Sequence, residues 1–95
     1  MIGKYCIVRC EHAGVFAGTL KSREGREITL ADARRLWKWS GAFTCSQLAV
    51  DGTKEPDNCF FTIAVEEITL LDAIEIIPCT QVSESSIKAV KEWKI

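Results

Sequence analysis

The chain has 95 residues, 12 basic against 13 acidic side chains and a formal net charge of −1, with a pI near 5.8. That length makes one domain, 1–95, with a single modest core and no internal boundary. The near-neutral charge excludes a broad basic footprint for nucleic acid, so any anion site must be local.

No run of about 18 apolar residues is present, and Met1-Ile2-Gly3-Lys4 lacks the apolar stretch of a signal peptide, which predicts a cytoplasmic protein. The five cysteines (Cys6, Cys10, Cys45, Cys59, Cys79) are an odd number lying mostly in apolar, strand-like runs, where thiols behave as small hydrophobes. With no Cys-x-x-Cys and His12 as the sole histidine, neither a zinc site nor a Cys/His nucleophile pair is expected, and no cofactor is implied.

In chain order, Lys4 to Glu11 alternates, with Tyr5, Ile7 and Arg9 on one side and Cys6, Val8 and Cys10 on the other, predicting a first strand. His12-Ala13-Gly14 is a turn in which the imidazole is expected in solvent. Val15 to Ser22 follows as a second strand, where Gly18 marks a bend, bulge or close backbone approach. After the polar turn Arg23-Glu24-Gly25-Arg26, Glu27 to Trp39 reads as a long third strand bent near Ala31-Asp32-Ala33. A helix beginning at Leu30 is the competing reading, disfavoured by Ile28, Thr29 and the tryptophans.

The end of that strand, Arg34 to Phe43, concentrates two of the three tryptophans and three cations in ten residues. Alternation puts Arg35, Trp37 and Trp39 on one face and Arg34, Leu36 and Lys38 on the other. A guanidinium beside two indoles suits a flat anionic ligand, since a base stacks on an indole and arginine meets a phosphate with two donors. The competing reading is that the tryptophans are core.

Beyond the Ser40-Gly41-Ala42 hinge, Thr44-Cys45-Ser46-Gln47 fits a capping box, predicting a short helix to about Asp51 that ends at Gly52. Its N-terminal amides would add a second donor group for an anion. Candidate ligand-binding residues are therefore Arg34, Arg35, Trp37, Trp39, Ser40, Gly41, Ala42, Thr44, Cys45 and Gln47. Thr53 to Asn58 is a polar loop, and Phe60 to Val65 a strand broken by Glu66-Glu67. Ile68 to Leu71 and Ala73 to Pro78 form one or two short strands, with Ile74, Ile76 and Ile77 in the core. Ser83 would cap a last helix from about Glu84 to Trp93, whose stripe of Ile87, Val90 and Trp93 packs on the sheet. The expected fold is α+β: a small, strongly bent antiparallel sheet or partial barrel with one short inserted helix and a C-terminal helix.

Gly14-Val15-Phe16-Ala17-Gly18-Thr19-Leu20, then Ile28-Thr29-Leu30 and Ala33, resembles the bent three-strand meander of SH3-like and Sm-like barrels, over about a third of the chain. The same first segment, the Ala33-Arg34-Arg35-Leu36-Trp37-Lys38-Trp39-Ser40-Gly41-Ala42 core, Gln47-Leu48-Ala49 and Pro56-Asp57-Asn58-Cys59 together resemble a widespread family of small tailed-phage proteins, nearly end to end. That resemblance implies a phage anti-defence sponge in the host bacterial cytosol. Such a sponge is a non-catalytic homo-oligomer sequestering a cyclic di- or trinucleotide of CBASS immunity or an ADP-ribose-derived signal of Thoeris. Two other classes stand beside it: an Sm-like single-stranded nucleic-acid binder, which needs a continuous basic track, and an interaction module whose tryptophans only pack. No Walker, Gly-x-Ser-x-Gly or His-Glu-x-x-His pattern occurs, so no enzyme is expected.

Overall fold

Strand-forming residues in period-2 runs dominate the first forty positions, and the computed structural model, which describes residues 1–95, folds them as a three-stranded meander. β1 (Tyr5–Cys10) pairs antiparallel with β2 (Val15–Glu24), and β2 with β3 (Glu27–Lys38). The competing helix at Leu30 does not form. At the middle of β3 the register places Thr19 opposite Ala31 and Ala17 opposite Arg34, so Gly18 faces a bulge formed by Asp32 and Ala33. Asp32 takes φ +50°, one of the few non-glycine residues that tolerates this region. A Cβ on Gly18 would lie 3.0 Å from the Ala31 carbonyl oxygen and 3.1 Å from the Ala33 Cα, which is the close approach expected of it.

The bend divides the outer edge of β3 between two short strands. β4 (Phe60–Phe61) pairs with Leu36 and Lys38, and β5 (Val65–Leu70) with Ile28 to Ala33. This corrects the expected Phe60–Val65 strand broken at Glu66-Glu67. The break falls at residues 62–64, where Thr62 turns around the Arg35 main chain, its N–H donating to Arg35 O at 3.0 Å and its hydroxyl accepting from Arg35 N at 3.0 Å. Glu66 and Glu67 lie inside β5 and are exposed, Glu67 pairing with Lys21 at 2.7 Å. β6 (Ala73–Pro78) returns to pair with β1, so the sheet runs β4-β3-β2-β1-β6, with β5 also on β3, antiparallel and not closed.

Two helices cover one face. α1 (Cys45–Asp51) is capped by Thr44 as expected and ends at Gly52, whose φ is +72°. α2 (Gln81–Ala89) differs from its expected bounds: Thr80, not Ser83, is the cap, and the helix stops at Ala89. The Ser83 hydroxyl is instead buried, donating to Leu48 O at 2.6 Å and so joining the helices. After Val90 the chain runs parallel to β4, Trp93 N–H donating to Phe61 O at 2.9 Å. Trp93 therefore lies off the helix stripe on which it was expected.

β1 is buried on both faces. Tyr5 and Ile7 join Ala17, Leu36, Phe61, Leu48 and Ile87 in a core between sheet and helices, whereas Cys6, Val8 and Cys10 join Phe16, Leu20, Ile28, Leu30 and Leu70 inside the fold of the sheet. Ile76 and Ile77 pack against these cores, but Ile74, expected with them, is exposed. The fold is α+β as expected, and no helix is long and apolar enough to cross a membrane.

Candidate functional site

The site begins with the alternation of β3. Leu36 is buried against the helices and anchors the strand. Arg34, on the same side, is 6% exposed and spends its donors on main-chain oxygens: Nε on Thr62 O at 2.9 Å, Nη1 on Ile87 O and Val90 O at 2.9 Å each, and Nη2 on Phe61 O at 3.1 Å. It thereby closes the C-terminal end of α2, where carbonyls lack helical partners and the dipole favours a cation. Burial, foremost, lowers its pKa below the ordinary guanidinium value. The assignment of Arg34 to a ligand phosphate is corrected by this geometry, since its fork is committed to the backbone.

Arg35 is turned the other way. It is exposed, its guanidinium lies 4.7 Å from the Phe16 ring centre, and no carboxylate pairs with it. Next on that side, Trp37 is 63% exposed, with one flank against Trp93 at 6.2 Å between ring centres. Trp93 in turn stacks on Phe60 at 5.3 Å, and Lys38 Nζ lies 5.7 Å from the Phe60 ring, giving a three-ring ladder with a cation at its far end. Trp39 is half-buried, packed on the core beneath the helices. Arg35, Trp37 and Trp39 do meet, around a cavity of about 280 Å³ closed by the His12–Val15 turn.

The turn was not among the candidate residues, although it supplies the opposite wall. It is held by Asp72, whose carboxylate accepts from the His12 main-chain N–H at 2.9 Å and lies 3.3 Å from His12 Nδ1. That N–H, foremost, holds the Asp72 carboxyl below the usual carboxylate range.

Ser40, Gly41, Ala42 and Gln47 surround a different cavity, of about 380 Å³, together with Phe43 and Glu55. Gly41 is required there: at φ +81°, a Cβ would come within 2.6 Å of the Lys54 and Glu55 nitrogens. Thr44 and Cys45 line neither cavity. The Thr44 hydroxyl accepts from Gln47 N at 3.0 Å, and Gln47 Oε1 accepts from Phe43 N at 2.9 Å. Cys45 packs on the core, and burial pushes its thiol up. Of the amides at this helix start, Gln47 N is taken by the Thr44 cap, and Phe43 N just before the cap by Gln47 Oε1, whereas the Cys45 and Ser46 N–H groups have no partner within the protein.

The ten expected residues thus separate. Arg34 belongs to the core, Thr44 and Cys45 to the cap and its packing, and the rest divide between two cavities. Trp93 and Phe60, the back wall of Trp37, were missed because periodicity assigned Trp93 to a helix that ends earlier. No group of three or more His, Cys, Asp or Glu side chains is placed to hold a metal ion, and all five cysteines are free thiols. In comparison with known proteins, a family model described as a domain of unknown function, DUF6948, matches residues 3–87. No curated protein and no solved structure matches the chain.

Proposed function

We infer, for a chain that belongs to the DUF6948 family, a non-catalytic binding role: it sequesters a nucleotide-derived signal of bacterial immunity, as a phage anti-defence sponge does. The observation that carries this reading is the cavity where an unpaired Arg35 meets the open side of Trp37 and the edge of Trp39. A base on the indole contributes about 1–3 kcal/mol and a charge-assisted contact from Arg35 about 1.5–3 kcal/mol. With Arg34 withdrawn, these leave one half-site nearer millimolar than submicromolar, where about 8 kcal/mol is needed for 1 μM. Tight sequestration therefore needs a second copy to close the cavity, and the protein acts as a homo-oligomer with ligand near the interface.

Calorimetry against cyclic di- and trinucleotides and cyclic ADP-ribose isomers tests the reading, with the ligand recovered afterwards by heat denaturation. Binding lost in Trp37→Ala and Arg35→Ala, with intact ligand in the supernatant, supports sequestration. No heat from any member of the panel abandons it, and a degraded ligand replaces it with an enzyme.

The ladder Trp37–Trp93–Phe60 with Lys38 favours one other reading, a single-stranded nucleic-acid binder, since successive bases stack on such rings. A steep fall of oligonucleotide affinity with salt would select it.

A further inference from the structure

Arg35 borders more than the cavity of the tryptophans. It also lines a depression of about 250 Å³ with Phe16 and Ile68, and another of about 490 Å³ with Ile68, Leu71 and Asp72. His12 and Ala13 are walls of both the first and the last. The three are thus neighbours around one guanidinium, which is exposed and without a carboxylate partner. The chemistry differs along their length: indoles at one end, the cation in the middle, and aliphatic side chains at the other, where Leu71 is 71% exposed at the β5–β6 turn. The tryptophan cavity alone falls just below the roughly 300–1,000 Å³ of small-molecule sites, and the adjoining space carries the whole to the upper end of that range.

We propose that these depressions form one trough that seats a dinucleotide: one base on Trp37 and Trp39, the bridging phosphate on Arg35, and the second nucleoside against Ile68 and Leu71. This rests on the nucleotide-binding reading of the tryptophan cavity and adds the size of the ligand. The one anion in the trough, Asp72, is turned toward His12, which receives its charge through a main-chain N–H at 2.9 Å and the ring at 3.3 Å. The phosphate therefore has Arg35 as its partner with the nearest carboxylate already engaged.

The test compares nucleoside monophosphates with linear and cyclic dinucleotides, in adenine and guanine forms, by tryptophan quenching on the full chain. The dinucleotide of at least one base is expected to bind ten-fold or more tighter than its monophosphate. Leu71→Asp, at an exposed turn, should collapse that ratio toward one, while Trp37→Ala weakens both ligands. Equal binding of the two sizes, or a ratio unmoved by Leu71→Asp, overturns the trough and leaves the nucleotide site standing. Binding of neither size overturns both. Circular dichroism of each variant separates loss of binding from loss of fold.

Discussion

Exchanging Arg34 for methionine would remove a donor from four main-chain oxygens and leave two of them, Thr62 O and Val90 O, bare, while Phe61 O keeps the Trp93 N–H and Ile87 O the Val90 N–H. The expected loss is about 3 kcal/mol or more, read as a lowered urea midpoint, because buried acceptors are costly to leave bare. Arg34→Lys should recover only part of it, since an ammonium cannot spread over four acceptors as a planar fork does. The adjacent Arg35→Ala should cost about 1 kcal/mol at most, the value of its contact with Phe16. Two neighbours of one type thus separate, one by stability and the other by ligand binding. Tyr5 offers the opposite sign: its hydroxyl is buried with no hydrogen-bond partner, and burial, foremost, raises its pKa far above the ordinary phenol value. Tyr5→Phe is expected to be neutral or to stabilise by about 1 kcal/mol, measured by thermal unfolding.

Within the elements, β3 shows what could be read in advance. Its length, the bend at Ala31-Asp32-Ala33 and the role of Gly18 follow from alternation and from a glycine set in a strand. Gly18→Ala should destabilise by about 1–3 kcal/mol in equilibrium unfolding, since two of the three atoms its Cβ meets are backbone and the third, Leu30 Cβ, is fixed to the backbone, so none can swing aside. The meeting of Arg35, Trp37 and Trp39 was likewise legible from period-2 spacing. What alternation does not supply is which face of β3 the helices cover, so Arg34 and Arg35 are equal candidates for a ligand in the sequence. The capping box at Thr44–Gln47 is legible, and its cap occupies the Gln47 amide of the first turn while leaving those of Cys45 and Ser46 without a partner. Trp93 was misplaced because Ile87, Val90 and Trp93 share a helical spacing, whereas the tail gains a main-chain bond to Phe61 by leaving the helix. The His12 turn and its Asp72 partner are sixty residues apart, a pairing that only β6 returning beside β1 creates.

For the molecule as a whole, burial gives a pH dependence. Cys6 and Cys10 are both pushed from an ordinary 9 to about 11, burial being the first cause in each, so the folded state disfavours their thiolates. The unfolded chain ionises first, and their contribution is intact below pH 9 and lost as pH rises toward 11. Each thiol steepens the fall by up to about 1.4 kcal/mol per pH unit. Chemical denaturation at steps from pH 8 to 11 should show stability declining from about pH 9, and a flat profile would contradict it. Native protein at pH 8 should leave both thiols unlabelled by iodoacetamide. The strand that carries these two cysteines places Tyr5 and Ile7 in the core beneath the helices, so neither layer can open without disturbing it. Deuterium should therefore enter the Ile7 and Val8 amides only through opening of the whole chain, at the free energy of global unfolding, while the 40–43 segment exchanges ahead of them. The proposed binding face on β3, two strands from that centre, would be held by the same cooperative unit and need no separate folding event to be ready for a ligand.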